Sequence, residues 1–107
     1  MPGIILTTVP TVPGREIANV IGIARGNTIR AKHIGTDFIA SLRNLVGGEV
    51  SEYTKMMAES REQALDRMVA HAERMGADAV VGIEITTAMV LQGTAEILAY
   101  GTAVRLK

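Results

Sequence analysis

Residues 67–107 read R-M-V-A-H-A-E-R-M-G-A-D-A-V-V-G-I-E-I-T-T-A-M-V-L-Q-G-T-A-E-I-L-A-Y-G-T-A-V-R-L-K. Apolar residues recur at helical spacing as far as Met75, and from Ala79 the period falls to two. Gly76 marks the change, because glycine closes a helix in the left-handed conformation at low steric cost. Arg74 suits the negative end of the helix dipole. One strand is predicted from Ala79 to Leu91 and a second from Thr94 to Leu106. Gln92-Gly93 between them predicts a tight two-residue hairpin turn. That turn pairs Leu91 with Thr94. Its register sets Ile85 opposite Tyr100, Thr87 opposite Leu98 and Glu84 opposite Gly101. Ile83, Ile85, Leu98, Tyr100 and Val104 then form a bulky face, expected to be core. Gly82, Ala88, Ala95, Ala99, Gly101 and Ala103 form a small face that another backbone could approach closely. So few charges on either side predict that both faces are covered.

Working outward, Ile4 to Val9 predicts a short edge strand, closed by Pro10, Pro13 and Gly14. Glu16 to Ala31 predicts a longer strand region. Gly26-Asn27 interrupts it as a turn or a bulge, and the sequence leaves both open. Thr36 can cap a short helix running to Val46, with Phe38, Leu42 and Leu45 as its stripe. Gly47-Gly48 ends it. Ser51 can cap a long helix from about Glu52 to Met75. Its stripe is Tyr53, Met57, Ala64, Met68, Ala72 and Met75, flanked by Leu65 and Val69. The expected class is α+β: a small antiparallel or mixed sheet with a C-terminal β-hairpin and a short and a long helix packed on it. Residues 1–107 are expected to form a single domain.

Composition narrows the function. Lys plus Arg and Asp plus Glu number 11 each, which argues against nucleic acid and anionic membranes as partners. There is no cysteine, so disulfides and thiolate metal sites are excluded. No basic segment precedes an apolar one at the N-terminus, and no apolar run reaches membrane length. A cytoplasmic location is expected. With one Phe, two Tyr and no Trp, a subunit of this size has modest means to complete a core alone, which favours self-association.

Several motifs recur in one order: G-I-A-R-G in a strand, F-I-A-S-L-R-N-L-V-G-G, a helix carrying E-S-R-E-Q-A-L, M-G-A-D-A-V-V-G-I, and a closing G-T-A-V. From about Thr7 to Val104 the chain resembles the YbjQ-like family of small bacterial and archaeal proteins. The resemblance implies an α+β subunit that assembles into a ring-shaped pentamer. It also brings the family label "putative heavy-metal-binding". Glu49 stands where many members carry arginine after the glycine pair. Glu84 follows G-I at once, where many members have an acidic residue slightly later.

Each candidate site has a structural alternative. Heavy metals prefer thiolates, and His33 and His71, the two imidazoles, lie far apart in sequence. No metal ligands and no cofactor are therefore assigned. Glu84, within A-V-V-G-I-E-I, is a buried or pore-lining carboxylate, or an ion-pair partner of Arg105 or Arg30, or an exposed group at a subunit boundary. Ser41, Arg43, Gly47, Gly48 and Tyr53 combine a hydroxyl, a guanidinium and a helix N-terminus that could hold an anion. The alternative is a tight helix–helix turn whose amides Glu49 already satisfies. Methionines 56, 57, 68 and 75 at helical spacing fit core filler better than thioether ligands. No catalytic motif is present and no catalytic residue is assigned. The reading is a homo-oligomeric binding module for a small ligand or ion. Its alternatives are a protein-interaction scaffold and an enzyme with its site between subunits.

Overall fold

The helix stop at Gly76 forms as predicted. Gly76 has φ +79°. Its N–H donates to Glu73 O at 3.0 Å, and the Ala77 N–H donates to Ala72 O at 3.1 Å. Those two bonds satisfy carbonyls that the last helical turn would otherwise leave open. The computed structural model describes residues 3–31, 48–91 and 94–107, with side-chain surroundings for 3–29, 54–89 and 94–107. In chain order the elements are β1 (Ile5–Leu6), β2 (Ile17–Ala31), α1 (Gly48–Met75), β3 (Ala79–Leu91) and β4 (Thr94–Leu106). The fold is α+β: a four-stranded mixed sheet in the order β1-β3-β4-β2, with one helix among the described residues. β1 runs parallel to β3, and β4 is antiparallel to both β3 and β2. The predicted short helix and the Gln92-Gly93 turn lie outside the described residues. α1 starts at Gly48, ahead of the expected Glu52.

The predicted stripe is the face α1 buries. Ala64, Met68 and Ala72 are fully buried against Ala24 of β2 and Ile97, Ala99 and Ala103 of β4. Met57, Leu65, Val69 and Met75 pack around that cluster. Ser60 continues the stripe. Its hydroxyl donates to Met56 O at 3.1 Å, and its carbonyl accepts the Thr28 hydroxyl at 3.3 Å.

The hairpin register differs from the predicted one. Leu91 pairs with Thr94, but an irregularity between Met89 and Leu91 slides the rest by one residue. Glu84 therefore lies opposite Tyr100 rather than Gly101, Ile85 opposite Ala99 rather than Tyr100, and Thr87 opposite Ile97 rather than Leu98. In a strand, a slip of one exchanges the two faces. The small face is thus the core: Ala99, Gly101 and Ala103 are buried where α1 crosses the sheet. Of the bulky residues expected in the core, Ile83 and Val104 are buried, at 8% and 0% exposure, while Ile85 is 39% exposed. Small side chains won because they let a helix backbone approach.

Gly26-Asn27 is neither a turn nor a bulge. Gly26 pairs with Ala99 and Asn27 with Leu98 in unbroken register. A Cβ at Gly26 would collide with Met68 N and Ala64 O and lie 2.7 Å from Arg67 C, all backbone of α1. Glycine is required there because helix and strand touch.

Only part of the opposite face is covered. Val12, Ala79, Val81 and Val104 form a second small cluster with Ile17 and Leu106. Beyond it, Val20, Ile23 and Ile29 of β2 are 66%, 63% and 59% exposed. A single subunit therefore leaves part of this face uncovered. The molecule is elongated, with a radius of gyration of 17.1 Å and a longest extent of 54 Å. A compact domain of this length has a radius near about 13 Å.

Candidate functional site

Glu84 owes its orientation to a bulge. Gly82 adopts φ +63°, and β3 spends one extra residue between Val81, opposite Thr102, and Glu84, opposite Tyr100. The N-terminal segment holds this bend: Gly82 N–H donates to Val9 O at 2.9 Å and Ile83 N–H to Thr7 O at 3.1 Å. The bulge keeps Ile83 in the helix-side core and turns Glu84 to the opposite, outer face.

On that outer face three residues make a row across the sheet. Arg25 of β2 pairs with Tyr100 of β4, and Tyr100 pairs with Glu84 of β3. The Tyr100 hydroxyl donates to Glu84 Oε2 at 3.4 Å. Arg25 and Glu84 are two strand spacings apart, about 10 Å between backbones, with the phenol between them. Both are exposed. The Arg25 guanidinium has no partner among the described residues. Beside this row, Asn27 Nδ2 donates to Glu96 Oε2 at 3.1 Å.

Helix side chains close the outer margin of β2. The Arg25 N–H donates to His71 Nδ1 at 3.1 Å, and Arg67 Nη1 donates to the Asn27 carbonyl at 2.6 Å. His71 is therefore half-buried and engaged. The distal margin of β3 has no such cover from the N-terminal segment, whose hydrogen bonds to β3 end at Ile83. Glu84 to Met89 are all exposed.

Ser41, Arg43, Gly47 and His33 lie outside the described residues. Gly48 is the first residue of α1, and Tyr53 falls in its second turn. Glu84 is exposed on the single subunit rather than buried within it. Nor does it pair with Arg105, whose Nε lies 3.9 Å from Asp78 Oδ2 and whose Nη1 donates to Gly76 O at 3.1 Å. The other described ion pair joins Lys107 to Glu16 at 3.0 Å. A half-open groove of about 470 Å³ lies near the helix C-terminus, lined by Ile4, Ile5, Arg15, Glu73, Asp78 and Leu106 among others. Glu84 does not line it. Its Asp78 is committed to the fold, accepting the Leu106 N–H at 2.9 Å. Arg25 went unnoticed as a site residue. Its signal was a lone charge at an outward position between Ile23 and Ile29.

The donors do not suit a heavy metal. The chain has no thiolate, and His71 Nδ1 already serves as an acceptor. Among the described residues no three His, Asp or Glu side chains cluster. No helix among them is long and apolar enough to cross a membrane.

Known proteins match closely. A family model described as "Putative heavy-metal-binding" matches residues 4–107. A UPF0145 protein of Archaeoglobus fulgidus is 55% identical over 104 residues, covering 97% of this chain and 96% of its own. Another from Methanosarcina acetivorans is 56% identical over 102 residues, covering 95% and 96%. A third, from Thermus thermophilus, is 54% identical over 104 residues, covering 97% and 91%. A crystal structure of a protein of unknown function from Pediococcus pentosaceus has the same fold at TM-score 0.66, with 15% identity over 97% of this chain and 98% of that one.

Proposed function

We propose a function from this premise: the chain belongs to the YbjQ-like family. It acts as a cytoplasmic, homo-oligomeric binding module without catalytic chemistry of its own, its subunits closing into a ring. The observation that carries this reading is uncovered apolar surface. Val20, Ile23 and Ile29 on one face and Ile85 and Met89 on the other are 39–67% exposed, in a chain more extended than a compact domain. A lone subunit keeping this much aliphatic surface in water forgoes stabilisation that association recovers. The number five comes from the family resemblance alone. Light scattering on a sizing column is expected to give about five times the 11.4 kDa subunit mass at micromolar concentration. A one-subunit mass would overturn the oligomeric reading and favour a scaffold that uses the same surface for a different protein.

The ligand of this module is not a soft metal. Added zinc or copper, against an EDTA control, is expected to move the melting temperature by less than about 1 °C. Tight binding to the folded state must raise its stability, so a rise of several degrees at micromolar metal would restore the metal function that the family description suggests.

A further inference from the structure

We propose that copies of this chain join head to tail, with Arg25 of one subunit set against Glu84 of the next. The proposal rests on the oligomeric reading above and adds the contact that makes it. Its basis is the row Arg25–Tyr100–Glu84 across the outer face. The row carries a cation at the β2 margin and a carboxylate beyond it on β3, and neither charge is neutralised by the other. Arg25 has no partner among the described residues. Glu84 has only a phenol at 3.4 Å. The remaining described ion pairs, Arg105 with Asp78 and Lys107 with Glu16, engage other residues.

Side by side, two copies bring these charges together in one way only. The β2 margin of one must meet the β3 margin of the next. Matching β2 to β2 would set guanidinium against guanidinium, and matching β3 to β3 would set carboxylate against carboxylate. A contact between different margins is heterologous, the kind that closes into a ring when its rotation divides a full turn. Apolar surface adjoins the cation: Ile23 and Ile29, on the same outer face as Arg25, are 63% and 59% exposed. Strand addition does not make this contact at Arg25 and Asn27. There His71 and Arg67 already occupy the β2 backbone groups that a partner strand would need. The β2 margin therefore offers side chains from its outer face, and they cover the distal part of β3 that the N-terminal segment leaves open.

Charge reversal tests this. Arg25→Glu and Glu84→Arg are made singly and together in the full chain, and mass is followed by light scattering across a dilution series. Each single variant is expected to need at least about tenfold more protein for half-assembly, since like charges now face each other across the contact. The double variant is expected to assemble like wild type, because every contact then joins opposite charges again, with the carboxylate on β2 and the guanidinium on β3. Circular dichroism confirms that each variant folds, both positions being exposed. Raising the salt should weaken wild-type assembly. Singles that keep the wild-type mass, or a double variant that does not recover, would overturn the contact while leaving the oligomeric reading intact. A wild-type dimer would overturn it too, since a face-to-face pair about an axis along the strands also matches these charges but stops at two. A wild-type monomer would remove the reading beneath it.

Discussion

Gly26→Ala is expected to lower stability by about 3 kcal/mol, the upper end of overpacking costs. Propensity alone predicts the opposite sign, since alanine in a strand gains about 0.5–1 kcal/mol over glycine. Contact geometry decides. The new Cβ would strike Met68 N and Ala64 O and lie 2.7 Å from Arg67 C. All three atoms are helix backbone, so no rotamer relieves the clash. α1 must move away from β2, loosening the cluster of Ala24, Ala64, Met68 and Ala72. Gly101→Ala is the calibrating variant. Its Cβ would meet Val80 Cγ1 at 2.7 Å, Val81 O at 2.9 Å and Ile83 Cγ1 at 3.0 Å. Two of those are side-chain tips that can turn, so a smaller loss of about 1–2 kcal/mol is expected. Urea unfolding at fixed protein concentration measures both, the fixed concentration holding any assembly constant. A Gly26→Ala loss no greater than that of Gly101→Ala would mean that α1 shifts freely on the sheet.

These two glycines also show how far the sequence could be read. The helix stop at Gly76, the stripe of Ala64, Met68 and Ala72 and the extent of β3 and β4 were legible because each follows from local periodicity or a local backbone need. The faces of the hairpin were not. Its register was counted from the Leu91–Thr94 pair, and alternation has no memory across a bulge. One extra residue near Val90 set Ile85 beside Ala99 instead of Tyr100, so on β4 the small face became the core and Tyr100 turned outward. Bulk is a poor sign of burial here, because a helix lying directly on a strand selects the smallest side chains. Gly26 looked like an interruption for the same reason: what explains it is a contact with Met68, far along the chain. The row of Arg25, Tyr100 and Glu84 was illegible because it needs the register of three strands at once. Glu84 was singled out by its contrast with V-V-G-I, but its neighbour was sought in Arg105, which Asp78 holds instead.

Met68→Ala is expected to cost about 3–5 kcal/mol, the upper part of the range for emptying a buried Met position. Met68 is fully buried and is among the largest side chains of the core. The cost of such a truncation depends on how well the surroundings collapse into the space. Here they collapse poorly. Ala24, Ala64, Ala72, Ala99 and Ala103 make up most of the cluster, and alanine has no rotamer with which to fill a void. Closing the gap by moving α1 inward is blocked as well, because its backbone already touches β2 at Gly26. The hole therefore persists, and its lining loses contacts outright. Met68→Leu separates volume from chemistry. It conserves most of the volume and is expected to cost less than about 1.5 kcal/mol. Denaturant unfolding of the three proteins at one concentration gives both numbers. If Met68→Ala cost no more than Met68→Leu, the alanine-lined core would be able to repack, and the tight seating of α1 on β2 and β4 would not be what holds this fold together.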